Sequence, residues 1–539
     1  MQNSAAFHRL DDDCLHEVLL IVSWISPTLS MESLLERRTF LAVTHVCTRW
    51  RNLTLASPRL WAFIQFSWSA SLALIAEVLQ RSASIHLHIV YDGAGSGQVN
   101  SNPWFDPDPD RRRFDEETLR TFATRYNLTA QLVSANAWRI SSLILRNLNQ
   151  YEWRTFRAHF RNTPTPQLQR LHLESHANSE WEWEWEAYDY EFIPCPHPAL
   201  CEYSVKGPYL RLPECTSLTR LILCRVTLPT IESLVHTIRS NPLLEVLHIE
   251  LFTYPREDLD QLSPTSSDPV HLPQLRHLNI RSDAYLDHVH ILKDMIFPPS
   301  TTIELFFEKV DYLLERQRNN AIYCAPLVDI LSSIDDLSVT ISRDLDQGTR
   351  STWMIAQPTG SGLFRVEWES YDYHEHALRN ISALEFPRLH RLHLYSRSAL
   401  YEKYLPDLLP AFPTISELVL DIRPGTLAHL LRIFQKAADG DPHMIDRVWP
   451  HLVRLKIVPL LNTSLLEDVV ACFSAPARRV VPLARLELYL QAEVPQDLSS
   501  SLLTRVHGVA EEVVIHYNEG YTFAADLLVQ LEEALIMPH

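Results

Sequence analysis

The phrase L-x-x-L-x-L, in strict or substituted spelling, returns ten times between residues 168 and 488, and it constrains this chain more than any other feature. The copies are LQRLHL (168–173), LCEYSV (200–205), LTRLIL (218–223), LEVLHI (244–249), LRHLNI (275–280), LFRVEW (363–368), LHRLHL (389–394), ISELVL (415–420), LVRLKI (452–457) and LARLEL (483–488). Alternation inside the phrase predicts a strand with its leucines turned to a core. Adjacent copies start 18 to 37 residues apart, except for the 88 residues between the starts at 275 and 363, and amphipathic stretches such as TIESLVHTIRSN and TLAHLLRIFQKAAD lie between them. Strand plus helix at that period is the leucine-rich-repeat signature, in which no unit covers its own apolar side and neighbours stack into a solenoid. The residue three after the third leucine, usually Asn or Cys, is His176, Val226 or Asp283 here, so the expected array is irregular. Upstream, 69–91 reads as helix then strand, FDEETLRTFATRYNLTAQLV as a helix with Asp115 as its cap, and ISSLILRNL as a strand. TFAADLLVQLEEAL is the expected C-terminal capping helix.

At 539 residues the chain is too long for one ordinary core. A net charge of −18 argues against a nucleic-acid binder. None of the eight cysteines forms a CxxC pair, which fits reduced usage without a disulfide framework. The start MQNSAAFHRLDDD has no basic signal region, and the apolar run VLLIVSWI (18–25) is too short to span a bilayer, so the expected location is cytoplasmic or nuclear, with no membrane partner.

The first 66 residues read differently. In LDDDCLHEVLLIV the acids can cap a helix, and Leu15, Val18, Leu19 and Val22 share one face, which Cys14, Ile21 and Ile25 widen. MESLLERRTFLAVTHVCTRWRNLTL fits a second helix, and in ASPRLW Ser57 and Pro58 can start a third that folds Leu60 and Trp61 back on the others. So small a helical unit benefits from a partner that covers its apolar surface. The strings L-x(4)-L-x-x-V-L (10–19) and VCTRWRNLTLASPRLW (46–61) resemble an F-box, most closely the F-box-like proteins abundant in mushroom-forming fungi. Family members usually carry Leu-Pro where this chain has Leu10-Asp11, and the gap between the helices is long here. The resemblance implies docking onto a Skp-type adaptor of a cullin ubiquitin ligase through Leu10, Leu15, Val18, Leu19, Val46, Trp50, Pro58 and Leu60.

The expected fold is therefore α/β: a small all-α F-box-like domain (1–66), then an irregular leucine-rich-repeat solenoid (67–539) with loop insertions at 93–113 and 174–198. The residue before the second leucine of the phrase reads Arg170, Arg220, Val246, His277, Arg365, Arg391, Glu417, Arg454 and Arg485, six arginines in nine. Such a column offers bidentate recognition of acidic or phosphorylated groups on an unknown target protein, with Arg391, Arg454 and Arg485 as its candidates. Alternatively the arginines solubilise exposed strands and pair with neighbours such as Glu174, Glu250 and Asp421. In WEWEWEAYDY (181–190), period two predicts a strand with Trp181, Trp183 and Trp185 on one side. Glu182, Glu184 and Glu186 on the other side are candidates to meet a basic target. Its echo WESYDY (368–373) follows Val366 at a leucine position and Glu367 facing out.

No GxSxG, HExxH or P-loop pattern occurs. Cys195, His197 and Cys201 cluster, without the second pair that a structural zinc site needs. No enzyme activity, cofactor or metal is expected. The sequence leaves two functions open: a substrate-recognition subunit of a ubiquitin ligase, or a repeat scaffold in which the N-terminal helices are only a cap.

Overall fold

The computed structural model describes residues 11–24, 45–93, 116–175, 197–207, 212–226, 231–250, 269–282, 292, 295–307, 325–343, 350–358, 362–370, 381, 386–396, 411–440, 451–473, 483–491 and 500–518. The chain is mixed α/β, and its seventeen longer strands build mostly parallel sheet. It divides into two compact units, Met1–Gln274 and Leu275–His539. Among the described residues, no helix is long and apolar enough to cross a membrane.

The first unit opens with helices α1 (Asp12–Trp24) and α2 (Thr48–Ala56) and a 3-10 turn at Pro58–Trp61. It continues through β1 (Phe63–Ser67), α3 (Leu72–Arg81), β2 (Leu87–Asp92), α4 (Glu116–Ser134), β3 (Ile140–Leu148), α5 (Gln150–Phe160), β4 (Arg170–Ser175), β5 (Glu202–Lys206), β6 (Arg220–Cys224), α6 (Ile231–Arg239), β7 (Val246–Glu250) and the two-residue β8 (Val270–His271). Strands β1 to β7 pair in chain order, all parallel. Their phrases align: Leu171 stands beside Tyr203, then Leu221, then Leu247, and all four are buried.

A backbone relay fixes that alignment. The second residue of each phrase donates its N–H to its counterpart one strand earlier: Gln169 to Ser141 O, Cys201 to Gln169 O, Thr219 to Cys201 O and Glu245 to Thr219 O, each at 2.8 Å. Buried peptide groups must be paired, so each strand completes its predecessor. Asn241, fully buried after α6, adds a side-chain version. Its Oδ1 accepts from Leu218 N at 2.9 Å, and its Nδ2 donates to Cys215 O and Thr237 O at 2.8 and 2.7 Å.

The second unit contains β9 (His277–Ser282), the two-residue β10 (Met295–Ile296), β11 (Thr302–Phe307), α7 (Ala325–Ser332), β12 (Ile334–Arg343), β13 (Arg350–Pro358), β14 (Phe364–Ser370), β15 (Arg391–Ser396), β16 (Glu417–Ile422), α8 (Pro424–Gly440), β17 (Arg454–Leu461), α9 (Thr463–Phe473), β18 (Leu483–Gln491), α10 (Ser500–His507) and β19 (Ala510–Asn518). Strands β15 to β19 repeat the parallel, in-register stacking, with Leu392, Leu418, Leu455, Leu486 and Val513 side by side. The relay recurs from Asp335 through His390, Ser416 and Val453 to Ala484. Between β11 and β15 the order changes: β11 pairs with β14, β14 with β13, β13 with β12 and β12 with β15. Only β13 runs antiparallel to its neighbours.

Several expectations need correction. Of the expected second helix, residues 31–44 lie outside the described residues; the described helix α2 starts at Thr48, because Cys47 is extended (φ −158°, ψ 168°) and Val46 precedes it. The boundary at 66 falls inside β1, whose Ile64 and Phe66 are buried. The insertion expected from 174 begins later, since Glu174 and Ser175 close β4. WEWEWEAYDY, Asp115 and the C-terminal capping helix lie outside the described residues. In LFRVEW, Val366 is buried and Glu367 lies on the other face.

Candidate protein-interaction surfaces

The N-terminal helices close on a small core made of Leu15, Leu19, Leu20, Leu60 and Trp61, with Trp50, Leu53 and Val78 packed against it. Asp11 caps α1 by accepting the Cys14 N–H at 2.7 Å, and that bond holds the Asp11 carboxyl below its ordinary range. Arg49 pairs with Asp12 at 2.8 Å, and His16 is hydrogen-bonded to Ser57 Oγ at 2.6 Å. The Trp61 indole donates to Thr54 O at 2.8 Å. Pro58 opens the 3-10 turn, where its missing N–H costs nothing.

The eight candidate adaptor-docking residues separate by burial. Leu15, Leu19 and Leu60 are inside the core, while Trp50 and Pro58 are half-buried. Val18 and Val46 face outward at 40% and 61% exposure, and Leu10 lies outside the described residues. Ile21 and Leu55 are exposed as well, at 57% and 41%. Four of the ten large apolar side chains that the described residues expose thus belong to this short helical segment. The face expected to be buried, with Val18 on it, is rotated: Leu20 points in and Val18 points out. Helical spacing placed Leu15 and Leu19 on the packed side, but it also put Val18 and Ile21 there and left out Leu20.

The outward face of the sheet carries the arginine column, and its neighbours neutralise it. Glu202 stands in this column too, beside Arg170, and holds it at 2.6 Å. In the second unit, Arg391 bridges Asp336 and Glu417 at 3.3 and 3.1 Å, and Arg454 lies 3.7 Å from the same Glu417. Arg485 lies 3.7 Å from both Glu487 and Glu512. The register explains the alternation, because Asp336, Arg391, Glu417, Arg454, Arg485 and Glu512 occupy one row across six strands. These arginines meet carboxylates of their own row and of the row beside it. Glu487 gathers Lys456 at 2.9 Å, the Tyr489 hydroxyl at 3.0 Å and His516 at 3.2 Å, while Tyr489 and His516 stack at 4.5 Å. Burial, with Lys456 and Arg391 nearby, pushes His393 down to about 4, so it is neutral at pH 7. The surface these rows present is charge-balanced rather than basic. Glu182, Glu184 and Glu186 lie outside the described residues.

In the first unit, His172 at 3.9 Å and Lys206 at 2.8 Å hold the Glu174 carboxyl at about 2 against its burial. A depressed carboxyl stabilises the fold above its ordinary value near 4.5 and loses that contribution as pH falls toward 2. Urea unfolding at pH 5 and pH 2.5 is expected to show wild type losing about 1–2 kcal/mol more than Glu174→Gln, a solvent-screened figure for this partly exposed pair. Equal losses would show that the pair carries no stability.

Of the Cys195, His197 and Cys201 cluster, Cys195 lies outside the described residues. His197 Nδ1 is 3.1 Å from Thr165 Oγ1, and the Cys201 thiol donates to Gln169 O. The sequence reading missed a grouping at the ends of β6 and β7, where Cys224, His248 and Glu250 converge. Its signal was the seventh phrase position, at which Cys224 and Glu250 both stand. No family model matches the sequence, and no curated protein matches it.

Proposed function

We propose that this chain is a substrate-recognition subunit of a cullin-type ubiquitin ligase. The F-box-like helices α1 and α2 dock a Skp-type adaptor, and the irregular leucine-rich-repeat solenoid binds a target protein. The mechanism is proximity: holding the target beside a ubiquitin-transferring partner raises its effective concentration, and the chain itself carries no catalytic residue. The observation that carries this reading is the outward apolar set Val18, Ile21, Val46 and Leu55 beside an already closed core. Exposed apolar residues concentrated on one short segment mark a partner surface.

Capture of this chain by immobilised adaptor tests the reading. Val18→Asp and Val46→Asp are each expected to weaken capture at least about tenfold, roughly 1.4 kcal/mol, with unchanged melting temperature. Wild-type protein that is not captured, or capture indifferent to both substitutions, would overturn it. A repeat scaffold without a ligase role is the second reading. It is favoured by Val78 of α3 packing on the Leu15–Leu60 cluster, as a cap on the sheet would require. Failed capture leaves that reading in place.

A further inference from the structure

We propose that Cys224, His248 and Glu250 form a zinc(II) site on the outward face of the first unit. One donor atom from each lies within 4.8 Å of the other two. The backbone explains why they meet. Strands β6 and β7 are parallel and in register, which places Cys224 beside Glu250, and His248 shares the face of Glu250 two residues earlier. Both strand ends are pinned. Gly207 N–H donates to Cys224 O at 3.0 Å, and Arg225 N–H donates to Glu250 O at 2.6 Å. Arg225 adopts a left-handed conformation there (φ 52°), so the chain leaves β6 in a turn that keeps the two ends together.

The donor set selects the ion. Thiolate, imidazole and carboxylate together suit zinc, whereas calcium and magnesium take oxygen ligands. Three protein ligands leave a fourth position for water. His248 Nε2 and Glu250 Oε2 are 3.7 Å apart, too far for a hydrogen bond. Two such donors on one tetrahedral zinc stand roughly 3.3–3.7 Å apart, given bonds of about 2.0–2.3 Å. Shifts of about 1 Å or less would therefore seat all three. His248 Nε2 is also sheltered without a hydrogen-bond partner. His172 and His393, at the same position of their repeats, share that trait. Among the described residues, only His248 has both a thiol and a carboxylate converging on it.

Metal-free, the thiol keeps its proton: burial and Glu250 push Cys224 up to about 12. Zinc binding breaks the S–H bond, forms S–Zn and releases one proton to solvent. Lys206, next in the row, is engaged by Glu174 at 2.8 Å.

The test uses the untagged full chain, stripped with chelator, and cobalt(II) as a spectroscopic probe. The expected result is a thiolate-to-cobalt charge-transfer band that saturates at one equivalent and is displaced by zinc. Cys224→Ser should abolish the band. His248→Ala and Glu250→Gln should keep the band but weaken zinc affinity at least about tenfold. Cys201→Ser should bind as wild type. Circular dichroism establishes that each variant is folded. The site is overturned if wild type gives no band, or if folded Cys224→Ser binds zinc as wild type does.

Discussion

Arg139→Ala is expected to cost about 3–5 kcal/mol, among the largest losses from any single side chain described. The guanidinium is buried and makes five hydrogen bonds. Nη2 reaches Leu79 O at 2.8 Å, Nη1 reaches Ser82 Oγ at 2.9 Å and Ile85 O at 3.3 Å, and the Asn136 side chain takes two more. None of these partners is a carboxylate. The charge sits at the C-terminal end of α3, where unsatisfied carbonyls and the helix dipole favour a cation. Removing the fork strands those carbonyls in a dry place, although Ser82 Oγ still donates to Leu79 O and softens the loss. Lysine lacks the five-donor fork, so Arg139→Lys should recover less than half. Because α3 also carries Val78 against the Leu15–Leu60 cluster, hydrogen exchange should show α1 amides less protected in Arg139→Ala. A urea melt showing a loss under about 1 kcal/mol would sink this account.

Glu152→Ala is expected to rank beside it, again at about 3–5 kcal/mol. Fully buried at the start of α5, this carboxylate ties three segments together. Tyr91 of β2 donates its hydroxyl to Oε1, and Asn149 N–H donates to Oε2 at 3.0 Å. Glu152 N–H in turn donates to Asn149 Oδ1 at 3.0 Å, completing a capping box. Nearby, Asn147, at an irregular point near the end of β3, has φ 51° and donates to Asp92 Oδ1 at 2.7 Å. Gly93 is required at this crossing, since a Cβ there would lie 2.6 Å from Asn147 O and 2.7 Å from Glu152 Oε2. Burial and the Glu152 charge both drive the Tyr91 pKa upward, so the phenol stays a donor. Tyr91→Phe added to Glu152→Ala should cost little more than Glu152→Ala alone, because the shared bond is already gone. Full additivity in a double-mutant cycle would show that the two residues act separately.

All ten copies of the phrase lie on strands, eight of which begin at its third residue, because the alternation that starts there leaves few other solutions. The same spacing in other spellings went unread. Ile334, Leu337 and Val339 of β12 and Ala510, Val513 and Ile515 of β19 follow it with one leucine among six positions. β1 and β11 alternate too briefly to stand out, and β13 runs against the parallel pattern. Helix α5 was legible in principle, since Asn149 and Glu152 spell the capping box three residues apart. The balance of the arginine column could not be read within one repeat. Glu202, Asp336 and Glu512 become its neighbours only when register places strands 32, 55 or 27 residues apart side by side. The inward and outward sides of α1 depended in the same way on Leu60, Trp61 and Val78, which arrive from elsewhere in the chain.

The backbone relay through the second residue of each phrase sets rules for how such a chain can gain or lose length. A one-residue deletion inside L-x-x-L-x-L would turn leucines out and charges in, and would leave both neighbouring strands with mismatched peptide groups. Residues added between strand and helix cost only loop entropy, about 0.6 kcal/mol for each doubling of the loop. A gene under this constraint drifts in the connectors and keeps the phrase whole. A six-residue phrase kept while its intervals range from 18 to 88 residues is the trace that such drift leaves.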